Sequence, residues 1–474
     1  MTNTPDSIAR QGLPSRDICR RARLSRDPRF DGEFFLAVST TGIYCRPVCP
    51  ARAPAERNVT YFGSAEQAAQ AGFRPCLRCR PESAPGSSAW RGTSVTVTRA
   101  LRLIEDGALS SGSLPQLADR LGVGERYLRK LFQRELGISP GALALNRRLL
   151  FAKQLLAETA MPVTEVAFAS GFGSVRRFND AVRKHFRLPP SRLRRGSTRT
   201  GATQTIELLL RYRAPYDWQG VAAFFARHAV DGVERVDDSG YYRHLRVDGY
   251  AGDIHVRPAG KEHALRLGVQ LQDPRMLQPV VARVRRMFDL DANPASIGEA
   301  LGSGPLAALL RRSPGVRAPG YGDLFEAALR AVIGQQISTG AARGILGRLS
   351  AATSNSTQAA QFPTPAGVLA LPDSDLPMPG RRRETVRALC ALFSRQEGCV
   401  TLDDIAALPG IGPWSEAMIA MRGLGDPDSL PLTDLGIVNA WRALPGDNDI
   451  KSTAQQWRPW RSYAANLLWR SLGG

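Results

Sequence analysis

Four cysteines raise the first chemical question. Cys45 and Cys49 stand in YCRPVC and Cys76 and Cys79 in PCLRC, so a C-x3-C pair and a C-x2-C pair flank 26 intervening residues. Two close pairs of thiols joined by a loop can close a tetrahedral thiolate site around one Zn(II), each pair supplying one edge. Zinc suits four thiolates and brings no redox chemistry. Such a site is either a structural staple or a reagent. Four thiolates overcompensate the dication, so the sulfurs stay nucleophilic while the metal holds them deprotonated near neutral pH. Arg46, Arg52, Arg57, Arg74, Arg78 and Arg80 flank the cysteines and point the site toward phosphate. Cys19, Cys390 and Cys399 lack metal spacing and read as interior thiols.

The second chemically telling stretch is near the other end. In LPGIGPW, Gly410, Ile411 and Gly412 form a tight turn between two helical patterns, and the glycines let backbone amides approach a phosphate at a helix N-terminus. The alternative is an ordinary helical hairpin. Asp434 follows in LPLTDLGIVNA; by itself, an aspartate before an apolar helix is an N-cap.

These residues need elements to hold them. The 474 residues predict two to four domains, and 43% apolar content is ample for packed cores. No apolar run is long enough for a membrane helix, and the start MTNTPDSIARQG has no secretory pattern, so a cytoplasmic protein is expected. Pro81–Ser94 and Arg194–Gln204 read as linkers, and Ser350–Pro365 as a loop within a helical region. From 204 to 290 the period is that of short strands (TIELLLRYR, YYRHLRVDG, DIHVRP, ALRLGVQL), with helices at about 218–229 and 274–288. From 291 onward the pattern is helical.

Charge is uneven. Of the formal +20, residues 1–200 contribute +17, from 33 Lys+Arg against 16 Asp+Glu, which suggests a polyanion partner for that part. Segment 93–195 reads as all helix and repeats itself. Leu117, Ala118 and Gly122 return as Val166, Ala167 and Gly171; Leu128, Phe132 and Leu136 return as Phe178, Val182 and Phe186. Each copy fits helix, turn, helix. The second helices, 125–136 and 174–186, carry Arg126, Arg129, Lys130 and Arg134, then Arg176, Arg177, Asn179, Arg183 and Lys184. That face suits a major groove; a merely solvated basic face is the alternative.

Three resemblances rest on these residues. DGEFFLAVSTTGIYCRPVCPAR with FGSAEQAAQAGFRPCLRCRPE resembles the N-terminal domain of the Ada methyl-phosphotriester repair regulators, which implies that all four cysteines bind zinc and that Cys45 irreversibly accepts a methyl group from a DNA phosphotriester. The repeat, above all GFGSVRRFNDAVRKHF, resembles the AraC-type DNA-binding domain. APYDWQGVAAFF, FEAALRAVIGQQIS, LPGIGPW and WRPWRSYAANLLW together resemble the AlkA-type 3-methyladenine DNA glycosylase II, and LPGIG its helix-hairpin-helix. That likeness implies a TATA-binding-protein-like α/β domain followed by a helical glycosylase domain. It makes Asp434 the catalytic carboxylate and Trp414 and Trp469 pocket aromatics that attract a cationic base. Two positions depart from the pattern: Met418 stands where the family has a pocket tyrosine, and Gln336 at the wedge position that can be Leu. Trp414 occupies the place of a Schiff-base lysine, so strand cleavage is not expected. No Pro-Cys-His-Arg string occurs, so direct alkylguanine repair is not expected either.

The expected architecture is multidomain and mainly α: an Ada-type zinc α/β domain (1–85), an AraC-type double helix-turn-helix (93–195), a TBP-like α/β domain (204–290) and an all-α helix-hairpin-helix glycosylase domain (291–474). The expected partners are double-stranded DNA, alkylated and promoter, and RNA polymerase, with no membrane and a monomeric chain. One Zn(II) per chain is the expected cofactor. The competing readings are a regulator whose C-terminal half only binds alkylated DNA, and a zinc module without methyl acceptance.

Overall fold

The computed structural model describes residues 13–76, 78–79, 81, 95–194, 205–354, 360–396, 400–445 and 449–473. The expected linker stretches 82–94 and 195–204, with Arg80 and Cys399, lie outside the described residues. The chain divides into two compact units. The first is Met1–Ala214 with Ala259–Ala282 and Leu290–Ala292; the second is Pro215–Pro258 with Arg283–Asp289 and Asn293–Gly474.

In the first unit, β1 (Phe35–Val38), β2 (Ile43–Cys45), β3 (Val59–Phe62) and β4 (Arg74–Pro75) form a sheet in the order β3-β1-β2-β4. β1 is antiparallel to β2 and β3, and β4 runs parallel to β2. Both faces are covered, as the period of two requires of a sheet packed on each side. Leu36, Val38, Val59 and Tyr61 pack with Cys19 and Ala22 of the Arg16–Ser25 helix. Phe35, Ala37 and Tyr44 pack with Ala65 and Ala68 of the Ala65–Gln70 helix and with Leu150.

The internal repeat folds as two helix-turn-helix motifs. Helices Leu114–Arg120 and Glu125–Leu136 form the first, and Val163–Ala169 and Val175–Phe186 the second. The corresponding positions are the ones that bury: Leu117, Ala118, Leu128 and Phe132 in one copy, Val166, Ala167, Phe178 and Val182 in the other. The two turn glycines, Gly122 and Gly171, both have left-handed backbone, at φ 68 and 76. Ser113 with Gln116 forms a capping box for the first helix, and Ser174 caps Val175–Phe186. The 19-residue helix Pro140–Glu158 connects the motifs. Also in this unit, β5 (Ile206–Arg211) pairs antiparallel with a later strand, Ala264–Leu271, with Leu208 opposite Leu267.

The second unit opens on helix Trp218–His228 and a three-stranded antiparallel meander of β6 (Glu234–Asp237), β7 (Gly240–Val247) and β8 (Tyr250–Pro258). Helices follow from Pro294 to Ser471. β6 is absent from the sequence reading because ERVD is too polar and short to alternate visibly. The expected loop at 350–365 is narrower than its composition suggested. Ser350 to Thr353 complete helix Thr339–Thr353, where Leu349 and Ser350 are buried and the Thr353 hydroxyl donates to the Leu349 carbonyl at 2.8 Å. No helix among the described residues is long and apolar enough to cross a membrane.

Helix Leu324–Gly334 runs through the middle of this unit, buried from Phe325 to Ile333. Its charges are buried too. Glu326 accepts from Arg243 at 3.0 Å, Arg330 at 3.0 Å and Arg283 at 2.9 Å, and Glu234 accepts from Arg330 at 2.6 Å. Burial pushes the Glu326 carboxyl up, but the three guanidiniums outweigh it and hold it at about 2. A carboxyl depressed in this way stabilises the fold above its unfolded value, and the contribution is lost as pH falls from about 4.5 toward about 2. Glu326→Gln leaves the buried arginines short of counter-charge and is expected to cost about 3–5 kcal/mol at pH 7. The deficit should shrink at pH 3. Tryptophan fluorescence during thermal unfolding reads it, since six of the seven tryptophans lie in the second unit. An unchanged transition at pH 7 contradicts the role.

Candidate functional sites: a thiolate centre and an indole–carboxylate pocket

The parallel pairing of β2 and β4 builds the thiolate centre. Tyr44 lies opposite Pro75, so the next residues, Cys45 and Cys76, leave the sheet at the same end; the Cys76 N–H donates to the Tyr44 carbonyl at 2.9 Å. A turn closed by Cys49 N–H to the Arg46 carbonyl at 3.1 Å returns Cys49 to the group. The sulfurs of Cys45, Cys49, Cys76 and Cys79 all lie within 4.8 Å of one another. Zinc–sulfur bonds of about 2.3 Å place tetrahedral sulfurs about 3.8 Å apart, so the donor set fits Zn(II). With thiols alone, hydrogen bonds within the cluster push Cys45 above the ordinary thiol range and pull Cys76 below it.

The four sulfurs are not equivalent. Cys79 Sγ accepts from the Arg46 N–H at 3.3 Å, Cys76 Sγ from the Arg78 N–H at 3.4 Å, and Cys49 from the Ala51 backbone. Among the described residues, none donates a backbone N–H to Cys45. A thiolate without such donors keeps the most charge for attack. Cys45, Cys49 and Cys76 line a cavity of about 760 Å³ that Arg26, Arg52, Arg74 and Arg78 also line. Arg52, Arg57 and Arg78 are exposed and Arg74 half-buried. Arg46 departs from the expectation that the flanking arginines face phosphate. It is buried, ion-paired to Asp31 with Nε to Oδ1 at 2.7 Å, and donates to the Cys79 carbonyl at 2.9 Å. It braces the cysteine loops. Cys19 and Cys390 are buried, and burial pushes both thiols up to about 12, as inert interior cysteines require.

The second unit holds a cavity of about 350 Å³ lined by Asp434, Trp414, Met418 and Trp469 together with Phe224, His228 and Arg422. Asp434 caps helix Leu435–Arg442, Oδ1 accepting from the Ile437 N–H at 3.1 Å. The same carboxylate accepts from both indoles: Trp469 Nε1 to Oδ1 at 2.8 Å, and Trp414 Nε1 to Oδ2 at 3.0 Å. The N-cap expectation holds, and the same carboxylate lines the cavity between the two indoles. Met418 lies one turn beyond Trp414 on helix Pro413–Leu424 and packs against the core. Sequence reading gave no role to Arg422. It is buried, lies 5.1 Å from the Trp469 ring and 4.4 Å from the Phe224 ring, and donates to Asn466 Oδ1 and the Pro319 carbonyl. Burial lowers it to about 10. A cation over the indole fixes the ring, and nothing local in the sequence marks it.

LPGIG forms the turn between helices Leu402–Ala406 and Pro413–Leu424, with Gly410, Ile411 and Gly412 at its tip. Gln335, also unmarked in sequence, donates to the Gly410 carbonyl at 2.8 Å and to Ser415 Oγ at 2.9 Å. It ties the hairpin to the loop carrying Gln336, which is exposed and left-handed at φ 56. A non-glycine residue held there is a strained position of the kind kept for contacts. In the helix-turn-helix region Arg126, Arg129, Lys130, Arg176, Arg177 and Arg183 are all exposed, with Arg129 paired to Glu125 at 2.6 Å.

A thiolate zinc centre, two helix-turn-helix motifs and an indole–carboxylate pocket beside a hairpin define a DNA-binding protein equipped for repair chemistry. Comparison with known proteins agrees. The family model for the metal binding domain of Ada matches residues 18–82, a helix-turn-helix domain model matches 117–196, and the AlkA N-terminal domain model matches 207–323. A Mycobacterium tuberculosis protein described as a bifunctional transcriptional activator/DNA repair enzyme AlkA is 41% identical over 96% of this chain and 96% of its own length. The chain belongs to that family. The DNA-3-methyladenine glycosylase 2 of Escherichia coli is 30% identical over 56% of this chain and 97% of its own length. The bifunctional transcriptional activator/DNA repair enzyme Ada of the same organism is 38% identical over 30% of this chain and 39% of its own length.

The hairpin offers a graded test. Gly410 has φ 87, and a Cβ there would sit 2.3 Å from Thr385 Oγ1; at Gly412 a Cβ meets nothing within 4 Å. Gly410→Ala is expected to cost about 1–2 kcal/mol and to weaken binding to nonspecific duplex in fluorescence anisotropy. Gly412→Ala should cost under about 1 kcal/mol. Equal stability of the two variants contradicts the geometry.

Proposed function

We propose that this protein answers DNA alkylation with two chemistries in one chain. In the region 1–85, Cys45 takes a methyl group from a DNA methyl-phosphotriester. The Cys45 sulfur attacks the methyl carbon as the carbon–oxygen bond breaks, and the phosphodiester anion leaves. Zn(II) bound by Cys45, Cys49, Cys76 and Cys79 keeps the thiolates ionised at neutral pH. Arg52, Arg74 and Arg78 hold the phosphate. The thioether formed is neutral, so the centre loses one negative charge and its repulsion from DNA falls. Each molecule reacts once. The region 93–195 then reads promoter DNA through Arg126, Arg129, Lys130, Arg176, Arg177 and Arg183, as a monomer in the cytoplasm, with RNA polymerase as the partner of activation.

The regions 204–290 and 291–474 act as a monofunctional glycosylase on alkylated purines such as 3-methyladenine. Backbone amides at Gly410, Ile411 and Gly412 grip the phosphate, and Gln336 enters the space the flipped nucleotide leaves. The base lies against Trp414, Met418 and Trp469. Its positive charge makes it a good leaving group. The bond from C1′ to the base nitrogen breaks with its electron pair going to the base, Asp434 stabilises the oxocarbenium ion or orients the attacking water, and water adds to C1′ and gives up a proton to solvent.

The observation that carries this reading is the Asp434 carboxylate held between two indole N–H groups inside the cavity those indoles line. Asp434→Asn should slow purine release from methylated duplex by about 100-fold or more, measured by mass spectrometry of the freed bases. Equal release by parent and variant contradicts it. For the other chemistry, incubation with DNA bearing methyl-phosphotriesters should leave one methyl on the Cys45 peptide and none on the Cys49, Cys76 or Cys79 positions. An unmodified Cys45 peptide makes the zinc a staple.

A further inference from the structure

His228 lies at the end of helix Trp218–His228 and lines the same cavity as Asp434, Trp414 and Trp469. Its Nδ1 is 2.8 Å from the Phe224 carbonyl oxygen. An oxygen acceptor at that distance requires the proton on Nδ1, which leaves Nε2 as a lone-pair acceptor in the neutral ring. The ring is fixed. It lies 4.5 Å from the Phe224 ring, and the His228 carbonyl accepts from Arg330 at 2.8 Å. Burial pulls the imidazole down to about 3, and Arg422, Arg330 and Arg227 oppose protonation further, so the ring is neutral at physiological pH.

The Thr339 and Tyr321 hydroxyls also line the cavity, but its carboxylate and amide acceptors are committed. Asp217 is ion-paired with Arg470, Asp434 accepts from Trp414, Trp469 and Ile437, and Asn466 Oδ1 accepts from Arg422. His228 Nε2 has no hydrogen-bond partner among the described residues. We infer that His228 Nε2 is a specificity-determining acceptor for an N–H donor on the edge of the extruded base, favouring cationic alkylpurines that retain amine or ring N–H hydrogens over lesions whose edge has none. Positive charge on the base makes its N–H a stronger donor, and a neutral acceptor takes that bond without repelling the cation. The inference rests on the base-excision reading above and adds which bases are preferred.

The test compares two substrates for the full-length parent and for His228→Phe and His228→Gln. One is methylated duplex, from which 3-methyladenine and 7-methylguanine are counted; both carry N–H donors. The other is a duplex with a single 1,N6-ethenoadenine, whose pairing edge has no donor. His228→Phe should slow release of the methylated purines about tenfold while changing ethenoadenine release by less than about twofold. His228→Gln, which keeps an acceptor near the Nε2 position, should recover most of the loss. Binding of an abasic-site duplex, which presents no base, should be the same for all three proteins and shows that the variants are folded. Equal losses on the two substrates, or no loss on either, overturn the assignment while leaving the glycosylase reading intact. A parent chain that releases no base from either substrate overturns that reading, and this inference with it.

Discussion

Two indole N–H groups aimed at the two oxygens of one carboxylate are the constraint around which the second unit is organised. Asp434 is also pinned by its own helix, through the Ile437 N–H, so three donors from three segments hold it. A carboxylate so restrained cannot rotate away when charge develops beside it, which is the condition for electrostatic stabilisation without reorganisation. The partners are restrained in turn. Trp469 lies beneath the Arg422 guanidinium, and Trp414 sits in the first turn of the helix that the LPGIG turn begins. Gly436 is part of the same fit, since a Cβ there would lie 3.0 Å from both Asp434 Oδ1 and the Trp469 ring.

The thiolate centre obeys a similar logic in smaller compass. A parallel pairing of two short strands carries Cys45 and Cys76 off the sheet side by side, and Arg46 braces the loops that bring Cys49 and Cys79 to them. The asymmetry that matters is in the hydrogen bonds. Among the described residues three sulfurs receive backbone donors and Cys45 does not, so four chemically identical side chains acquire unequal hydrogen bonding from the path of the backbone alone. Both centres therefore hold electron-rich groups: four thiols in one case, a carboxylate between two indoles in the other.

Much of this was legible in the amino-acid sequence because the features are local. The cysteine spacing marks a metal loop, the 49–50-residue repeat marks two copies of one motif, and Gly410 and Gly412 mark a tight turn between two helices. Other features were hidden because they depend on which distant segments meet. Arg46 looks like one more phosphate contact until Asp31 is seen beside it. Gln335 looks like a neighbour of Gln336 until the hairpin carbonyl is found above it. Arg422, His228 and the Glu326 cluster are ordinary polar letters in helical patterns, and only their burial gives them meaning. Asp434 is instructive in another way. Its local sequence marks a cap, which the structure shows, while the two indoles that meet the same carboxylate come from distant segments.

The indole N–H groups, and not only the aromatic faces, hold Asp434 in place. Replacing Trp414 and Trp469 with phenylalanine, singly and together, keeps a ring at each position and removes the donor. Single-turnover base release from a duplex with one defined lesion should fall about 10–100-fold for each single variant, the range expected for loss of a hydrogen bond to a charged group. The double variant should fall by less than the product, because a carboxylate freed on one side is already free to turn. Rates within about twofold of the parent for both single variants would contradict the account.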